Sequence, residues 1–300
     1  MNSTFGYHLV AFLTVAVWGS TFVFTKMLLL NGLSPAQIFT LRFIIAYVLL
    51  LLFELLVQRD AFHLFCSSWK DELVMMALGI VGGSLYFLSE NAAMLYTTAT
   101  NTSLIVCSCP LFAMLLVSLF YRDSERFTRV QFAGSLMACL GMAVVVLNGH
   151  FVLHLSPVGD LLAFCACLCW AVYSLLMKPA SERYSTVFIT RKVFFYGLLT
   201  ILPYYVVVPG FPGMEVILSR PVLWNLLFLG VVASMLCFLV WNWVIRKLGA
   251  VTATNWVYFN PITTILFAWW LLHEQITPWF LFGTLLILVG MYLCDRKNPA

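Results

Sequence analysis

The sequence predicts an all-α integral membrane protein, with ten transmembrane helices arranged as two inverted five-helix repeats. Three observations carry the prediction. Of 300 residues, 63% are hydrophobic and 9% charged, against about 25% charged in a soluble globular chain. Sixteen basic and twelve acidic side chains cannot coat the surface of a soluble protein of this size, so lipid is the solvent for most of it. The apolar runs are long enough to cross a bilayer as helices and do not alternate with period two. A backbone in lipid must satisfy its own hydrogen bonds, and this pattern selects helices over a closed barrel. Finally, short phrases recur at a nearly constant spacing along the chain.

The spans follow in order. Span 1 covers 8–30 and contains WGSTFVFTK (Trp18–Lys26); the turn NGLSP ends it. Its start carries no Lys or Arg and no small-residue cleavage site, so it is expected to be retained rather than removed as a signal peptide. Span 2 covers 36–57 and stops before Arg59. Span 3 covers 73–96 and gives way to TTATNTS. Span 4 covers 100–121, has Pro110 in its middle and stops before Arg122. Span 5 covers 129–148 and ends in NGH. Span 6 covers 157–178 and closes on WAVYSLLMK (Trp170–Lys178). Span 7 covers 187–208, before PGFPG. Span 8 covers 222–245, before Arg246-Lys247. Span 9 covers 251–272 and carries Pro261. Span 10, 278–294, is the shortest. Each can cross about 30 Å at 1.5 Å per residue.

Lys and Arg set the orientation. With the N-terminus inside, Arg59, Lys70, Arg122, Arg126, Arg129, Lys178, Arg183, Arg191, Lys192, Arg246, Lys247, Arg296 and Lys297 all lie at the inner side. Arg220 is the outer-loop exception, and Lys26 and Arg42 lie near the outer ends of spans 1 and 2. Both termini are therefore expected in the cytoplasm. The net charge of +4 is too small and too dispersed for nucleic-acid binding.

The recurrences divide the chain into 1–148 and 157–295. Leu78-Gly79 returns as Leu229-Gly230, Asn91 as Asn242 and Pro110 as Pro261, each 151 residues on. Arg42 and Tyr47 return as Arg191 and Tyr196, and Glu125, Thr128, Gly134, Gly141 and Met142 as Glu274, Thr277, Gly283, Gly290 and Met291, each 149 on. Five spans is an odd number, so the second copy enters the membrane upside down. The loops agree: the one between spans 4 and 5 is basic and its counterpart between spans 9 and 10 is not. Such bundles hold a central site that each side reaches in turn.

These features together resemble the EamA family of the drug/metabolite transporter superfamily: the Trp-to-Lys phrases, a Pro within spans 4 and 9, and an acidic residue (Glu125, Glu274) followed by G-x6-G-M. The resemblance covers nearly the whole chain. It implies a bacterial inner-membrane permease, usually an exporter of amino acids or related metabolites, and does not fix the substrate.

The candidate residues each carry two readings. Lys26 and Lys178 either snorkel to headgroups or act as gates for an anionic group. Trp18 falls near the bilayer centre, away from the interfacial belt where Trp is common. With Ser20 and Thr21 beside it, it either fills a gap or walls a solute path, and so does Trp170 with Tyr173. Ser84, Asn91 and Thr98 share one face of span 3, and Glu90 adjoins it. A carboxylate there is expensive unless paired or hydrated. It is either a structural partner of Arg42 or a group that titrates or binds an amine. Ser234, Trp241 and Asn242 in span 8, Asn101 and Ser108 in span 4, and Asn255, Tyr258, Asn260 and Thr263 in span 9 form further polar faces. Interhelical hydrogen bonds or a solute site both account for them. Pro110 and Pro261 free the carbonyls of Val106 and Val257 and can kink their helices.

Eight of nine cysteines lie in apolar runs, and their alternate spacing prevents neighbours on one helix from chelating one metal. No metal or cofactor is expected. Neither H-E-x-x-H, G-x-S-x-G nor a phosphate-binding loop occurs. The resulting expectation is a non-enzymatic secondary transporter that moves a small metabolite, an amino acid or related compound, outward by alternating access. Proton coupling would run through Glu90, and the chain would be a monomer or weak homodimer. A passive channel and a membrane-embedded enzyme are the alternatives.

Overall fold

The computed structural model describes residues 3–57, 63–97, 99–120, 128–147, 156–208, 210–272 and 277–295. These residues form helices and their connections, with no strand among them. Seven helices are long and apolar enough to cross a membrane: Phe5–Leu30, Pro35–Val57, Trp69–Tyr96, Asn101–Phe120, Pro157–Arg183, Thr186–Val207 and Arg220–Leu248. Arg129–Val145 and Pro278–Cys294 are shorter apolar helices. The run expected as span 9 is divided into Ala250–Asn255, a 3-10 turn Trp256–Phe259, and Asn260–Leu272.

Local chemistry sets the helix starts. Ser68, Ser156 and Ser185 act as N-caps, accepting from the N–H groups of Asp71, Gly159 and Phe188 that the first turn leaves unbonded. One expected end is wrong. The Pro157–Arg183 helix runs five residues past Lys178, straight through Pro179. A proline removes one donor, the N–H that would have served the Leu175 carbonyl, but does not forbid the turns after it.

Irregular turns occur at matching places in the two halves. Trp69–Tyr96 contains a π segment at Ile80–Ser84, and Arg220–Leu248 contains one at Phe228–Leu236. Adding 151 to 80–84 gives 231–235, inside the second segment. The helix around Pro110 breaks at Cys107-Ser108, between Ala99–Val106 and Cys109–Phe120. Adding 151 again gives 258–259, inside the 3-10 turn before Pro261.

The closest crossing joins Arg129–Leu147 to Pro278–Asp295. A Cβ on Gly141 would lie 2.7 Å from the Gly283 carbonyl oxygen, and one on Gly283 would lie 2.7 Å from the Gly141 oxygen; Gly134 and Gly290 meet in the same reciprocal way. Backbones this close gain dispersion energy that lipid tails cannot match. The opposite faces, with Leu140 and Leu281 more than 60% exposed, are apolar as lipid contact requires. Gly79 and Gly83 likewise press against Tyr196 and Gly197.

Candidate functional site

The two tryptophans of the repeated phrase meet at the centre of the bundle. Trp18 and Trp170 pack edge to face with centroids 5.3 Å apart, and Trp241 and Phe238 lie 5.0 and 5.8 Å from Trp18. Tyr86 and Tyr173 flank Trp170 at 5.2 and 5.1 Å. Each such pair adds about 0.5–1.5 kcal/mol beyond burial, so the rings form a stiff wall drawn from four helices.

Their indole N–H groups differ. The Cys237 N–H bonds to the Val232 and Ser234 carbonyls, so π winding passes over Ala233. The Ala233 carbonyl accepts from Trp18 Nε1 at 2.9 Å. Trp170 Nε1 and Trp241 Nε1 are buried without a partner.

Beside this wall is a cavity of about 30 Å³ bordered by Trp18, Thr21, Arg42, Glu90, Trp170 and Asn260, with Tyr86, Phe87 and Phe238 among its apolar surfaces. That volume holds one or two waters. Arg42 Nε donates to Ser234 Oγ at 2.9 Å, and the guanidinium lies 4.4 Å from the Phe87 ring centroid. Glu90 accepts from the Tyr86 hydroxyl at 2.8 Å. Arg42 and Glu90 are 2% and 6% exposed and reach one cavity through separate partners. The described ion pairs lie elsewhere, at Arg183–Asp71, Arg191–Glu54 and Lys192–Glu72. Asn260 Oδ1 is a buried acceptor with no partner. The cavity thus combines a cation, a carboxylate, a spare donor and a spare acceptor against aromatic rings.

A second charged cluster joins the helix ends on the Lys- and Arg-rich side. Arg191, the repeat counterpart of Arg42, pairs with Glu54 and donates to the His63 carbonyl. Lys192 and the Tyr196 hydroxyl converge on Glu72, which also accepts from the Cys66 N–H at 2.8 Å. Arg183 and the Tyr184 hydroxyl hold Asp71 at 2.8 and 2.9 Å. Burial, reinforced by Glu72, pushes the Cys66 thiol up to about 12. Arg191 and Lys192, read from sequence as part of the inner positive charge, are instead buried inside Thr186–Val207. Their partners are more than 100 residues away, beyond any local pattern.

Of the sequence-named residues, Trp18, Thr21, Arg42, Glu90, Trp170 and Asn260 border the cavity. Arg42 is no interfacial anchor; it is buried. Ser234 acts through Arg42, and Trp241 backs Trp18. The others bond between or along helices, away from the cavity. Ser20 donates to the Val17 carbonyl at 2.7 Å and Ser108 to that of Ile105 at 2.6 Å. Ser84 meets Thr200 at 2.7 Å, Asn91 donates to the Pro35 carbonyl at 3.2 Å, and Asn101 to Asp160 at 2.7 Å. Tyr173 donates to Asn242 at 2.6 Å, Asn242 to Thr190 at 2.8 Å, and Tyr258 shares a proton with Ser135 at 2.7 Å. Asn255 borders a different cavity.

The Lys26 ammonium donates to the Met94 carbonyl at 2.6 Å, in the last turn of Trp69–Tyr96, where a cation suits the helix dipole. Lys178 is half-buried well inside its helix. The Val257 carbonyl near Pro261 is not left open, because the Asn260 N–H takes it. Thr98, Glu125 and Glu274 lie outside the described residues. Sequence reading passed over Tyr86, Phe87 and Phe238. Tyr86 had a signal, since it stands four residues before Glu90 on the same helical face.

A bundle of membrane-length apolar helices around a largely aromatic cavity with a few charged and polar groups fits a multi-pass membrane protein of the transporter class. More particularly, the chain belongs to the EamA-like transporter family, which it matches over residues 5–147 and again over 157–294. It is 26% identical over 299 residues to an uncharacterized transporter of Archaeoglobus fulgidus, covering 97% of this chain and 98% of that one. It is 28% identical over 290 residues to a probable terminal-alkyne amino-acid exporter of Streptantibioticus cattleyicolor, covering 95% and 92%. A solved structure described only as the crystal structure of a protein shares the fold, with a TM-score of 0.74 at 18% identity, covering 96% of this chain and 98% of that one.

Proposed function

We propose that the chain is a secondary transporter that moves a small zwitterionic metabolite, an amino acid or related compound, outward across the bacterial inner membrane by alternating access. The observation that carries this reading is the central cavity, where Arg42 and Glu90 face one space through separate partners. A solute carboxylate suits Arg42 and its ammonium suits Glu90, as charge-assisted hydrogen bonds in a dry site are the strong ones. The indole rings suit an apolar side chain, with Trp170 Nε1–H and Asn260 Oδ1 as further partners. The name of the Streptantibioticus relative favours both the amino-acid class and the outward direction.

Ten spans in two inverted halves, 1–148 and 157–295, fit the paired π segments, the paired breaks and the twofold family match. Rocking one half against the other opens the cavity to each side in turn. Glu90 is the coupling group, the carboxyl that meets either a proton or the solute ammonium. A cavity of only about 30 Å³, too small for a continuous water path, favours a carrier over a passive pore.

Proteoliposomes loaded with unlabelled amino acids test this by counterflow of labelled ones under imposed pH gradients. Saturable, trans-stimulated flux is expected. Glu90→Gln should lower it about tenfold and flatten its pH dependence, since the removed charge is worth on the order of 1.4 kcal/mol or more at such a site. Folded protein that moves no amino acid, or an unchanged pH profile in the variant, would sink the reading.

A further inference from the structure

A second and larger cavity lies toward the Lys- and Arg-rich end of the bundle. It has a volume of about 220 Å³ and is bordered by His8, Thr252, Asn255, Trp256, Met291 and Tyr292. Two features connect it to the central cavity. His8, Ala11, Val15, Trp18 and Phe22 follow one face of the first helix. His8 borders the second cavity and Trp18 and Phe22 the central one. Ten residues separate His8 from Trp18, about 15 Å along the axis, and the fully buried Ala11 and Val15 between them are small. The other feature is the partition. Asn255 and Trp256 border the second cavity, while Val257 and Asn260, directly after them, border the central one. The wall is therefore the 3-10 turn Trp256–Phe259, a winding with poorer hydrogen bonds than an α-helix and one that often marks a hinge. Trp256 Nε1 donates to His8 Nδ1 at 3.2 Å, which ties the wall to the first helix.

We propose that this cavity is a loading site for the transported solute, with the turn Trp256–Phe259 as the gate between it and the central cavity. The proposal rests on the transport reading above. The chemistry suits a waiting position. Its border offers an indole, a phenol, an imidazole, an amide and a hydroxyl, with no carboxylate, ammonium or guanidinium. A dipolar solute is held there by ring contact and neutral hydrogen bonds, more weakly than by the charges of Arg42 and Glu90. A solute that inserts beside Trp256 competes for the His8 contact, loosening the wall as it arrives. The room is sufficient for a solute equivalent to several waters.

The test uses the full chain in liposomes with Thr252→Cys and Thr252→Trp. A charged, water-soluble methanethiosulfonate reagent should modify Thr252→Cys about tenfold faster than the parent, whose cysteines are mostly buried, and millimolar L-phenylalanine should slow it. Thr252→Trp, which fills the cavity, should cut labelled phenylalanine efflux about tenfold while detergent-solubilised protein still binds the label. Modification no faster than the parent would mean a sealed or lipid-filled space and would overturn the proposal. So would labelling indifferent to phenylalanine, or parental efflux in Thr252→Trp. If the parent moves no amino acid at all, the transport reading fails separately, and protection of Thr252→Cys by phenylalanine still decides whether solute binds here.

Discussion

Trp18 and Trp170 occupy equivalent places in two copies of one phrase, yet their N–H groups have different fates. Trp18 donates to the Ala233 carbonyl exposed by π winding; Trp170 donates to nothing while bordering the cavity. A net hydrogen bond is worth about 0.5–1.5 kcal/mol. Trp18→Phe is therefore expected to lower thermal stability in detergent more than Trp170→Phe does, since both lose part of a ring and Trp18 alone also orphans a carbonyl. Trp170→Phe should instead weaken solute binding, measured by scintillation proximity. Equal stability losses would show that the bond to Ala233 contributes nothing. Cys66 allows a pH test at the same scale. A thiol raised to about 12 stays protonated at pH 8, so it should alkylate far more slowly than a free cysteine of pKa about 8.5. The rate should climb only as pH approaches the raised value. Because the unfolded chain releases that proton at lower pH, stability from this group is complete below about 8.5 and is lost as pH rises above it. Fast alkylation of folded protein at pH 8 would contradict the burial that raises this thiol.

Helix positions were legible in the sequence because lipid imposes length and apolarity directly. Internal winding was less so. Pro110 and Pro261 announced breaks, since a missing N–H is written in the residue type. The π segments at Ile80–Ser84 and Phe228–Leu236 had no such marker, because they arise from packing by neighbours. Site residues divided the same way. Glu90 and Trp18 stood out as misfits in lipid, but Ser84, Asn91 and Asn242 look identical whether they face a solute or a neighbouring helix, and the structure bonds them to Thr200, the Pro35 carbonyl and Thr190. The G-x6-G phrases were visible as repeats, and their use at one crossing required coordinates. Gly141→Ala places a methyl 2.7 Å from the Gly283 carbonyl oxygen and 2.7 Å from the Ile287 nitrogen. Backbone cannot rotate away as a side chain can, so the helices must separate, costing about 1–3 kcal/mol. Gly6→Ala meets nothing within 4 Å and should be neutral or stabilising by about 0.5–1 kcal/mol. Thermal unfolding of the two variants side by side checks this, and equal midpoints would refute the tight crossing.

At the scale of the whole molecule, the number of crossings decides where the chain ends lie. Seven helices meet the length and apolarity needed to span a bilayer alone, and an odd number of crossings puts the two ends on opposite sides. Ten crossings put them on the same side. The three extra segments are weak for physical reasons: Arg129–Leu147 and Pro278–Asp295 are short and give one face to their glycine crossing, and 250–272 is interrupted by the 3-10 turn. Each gains from partners what it lacks alone, since a segment that meets other helices need not be apolar on every face. Charge points the same way. Lys70, Arg129, Lys178, Arg183, Arg246 and Lys247 fall on one side only if the run 129–147 crosses, and Arg296 and Lys297 join them only if the last two runs cross together or not at all. Fusing a reporter active only in the cytoplasm to each end in turn should give activity at both, with a fusion at Pro212 silent. Activity at one end alone would reduce the crossings to an odd number, and with them would go the inverted symmetry on which alternating access depends.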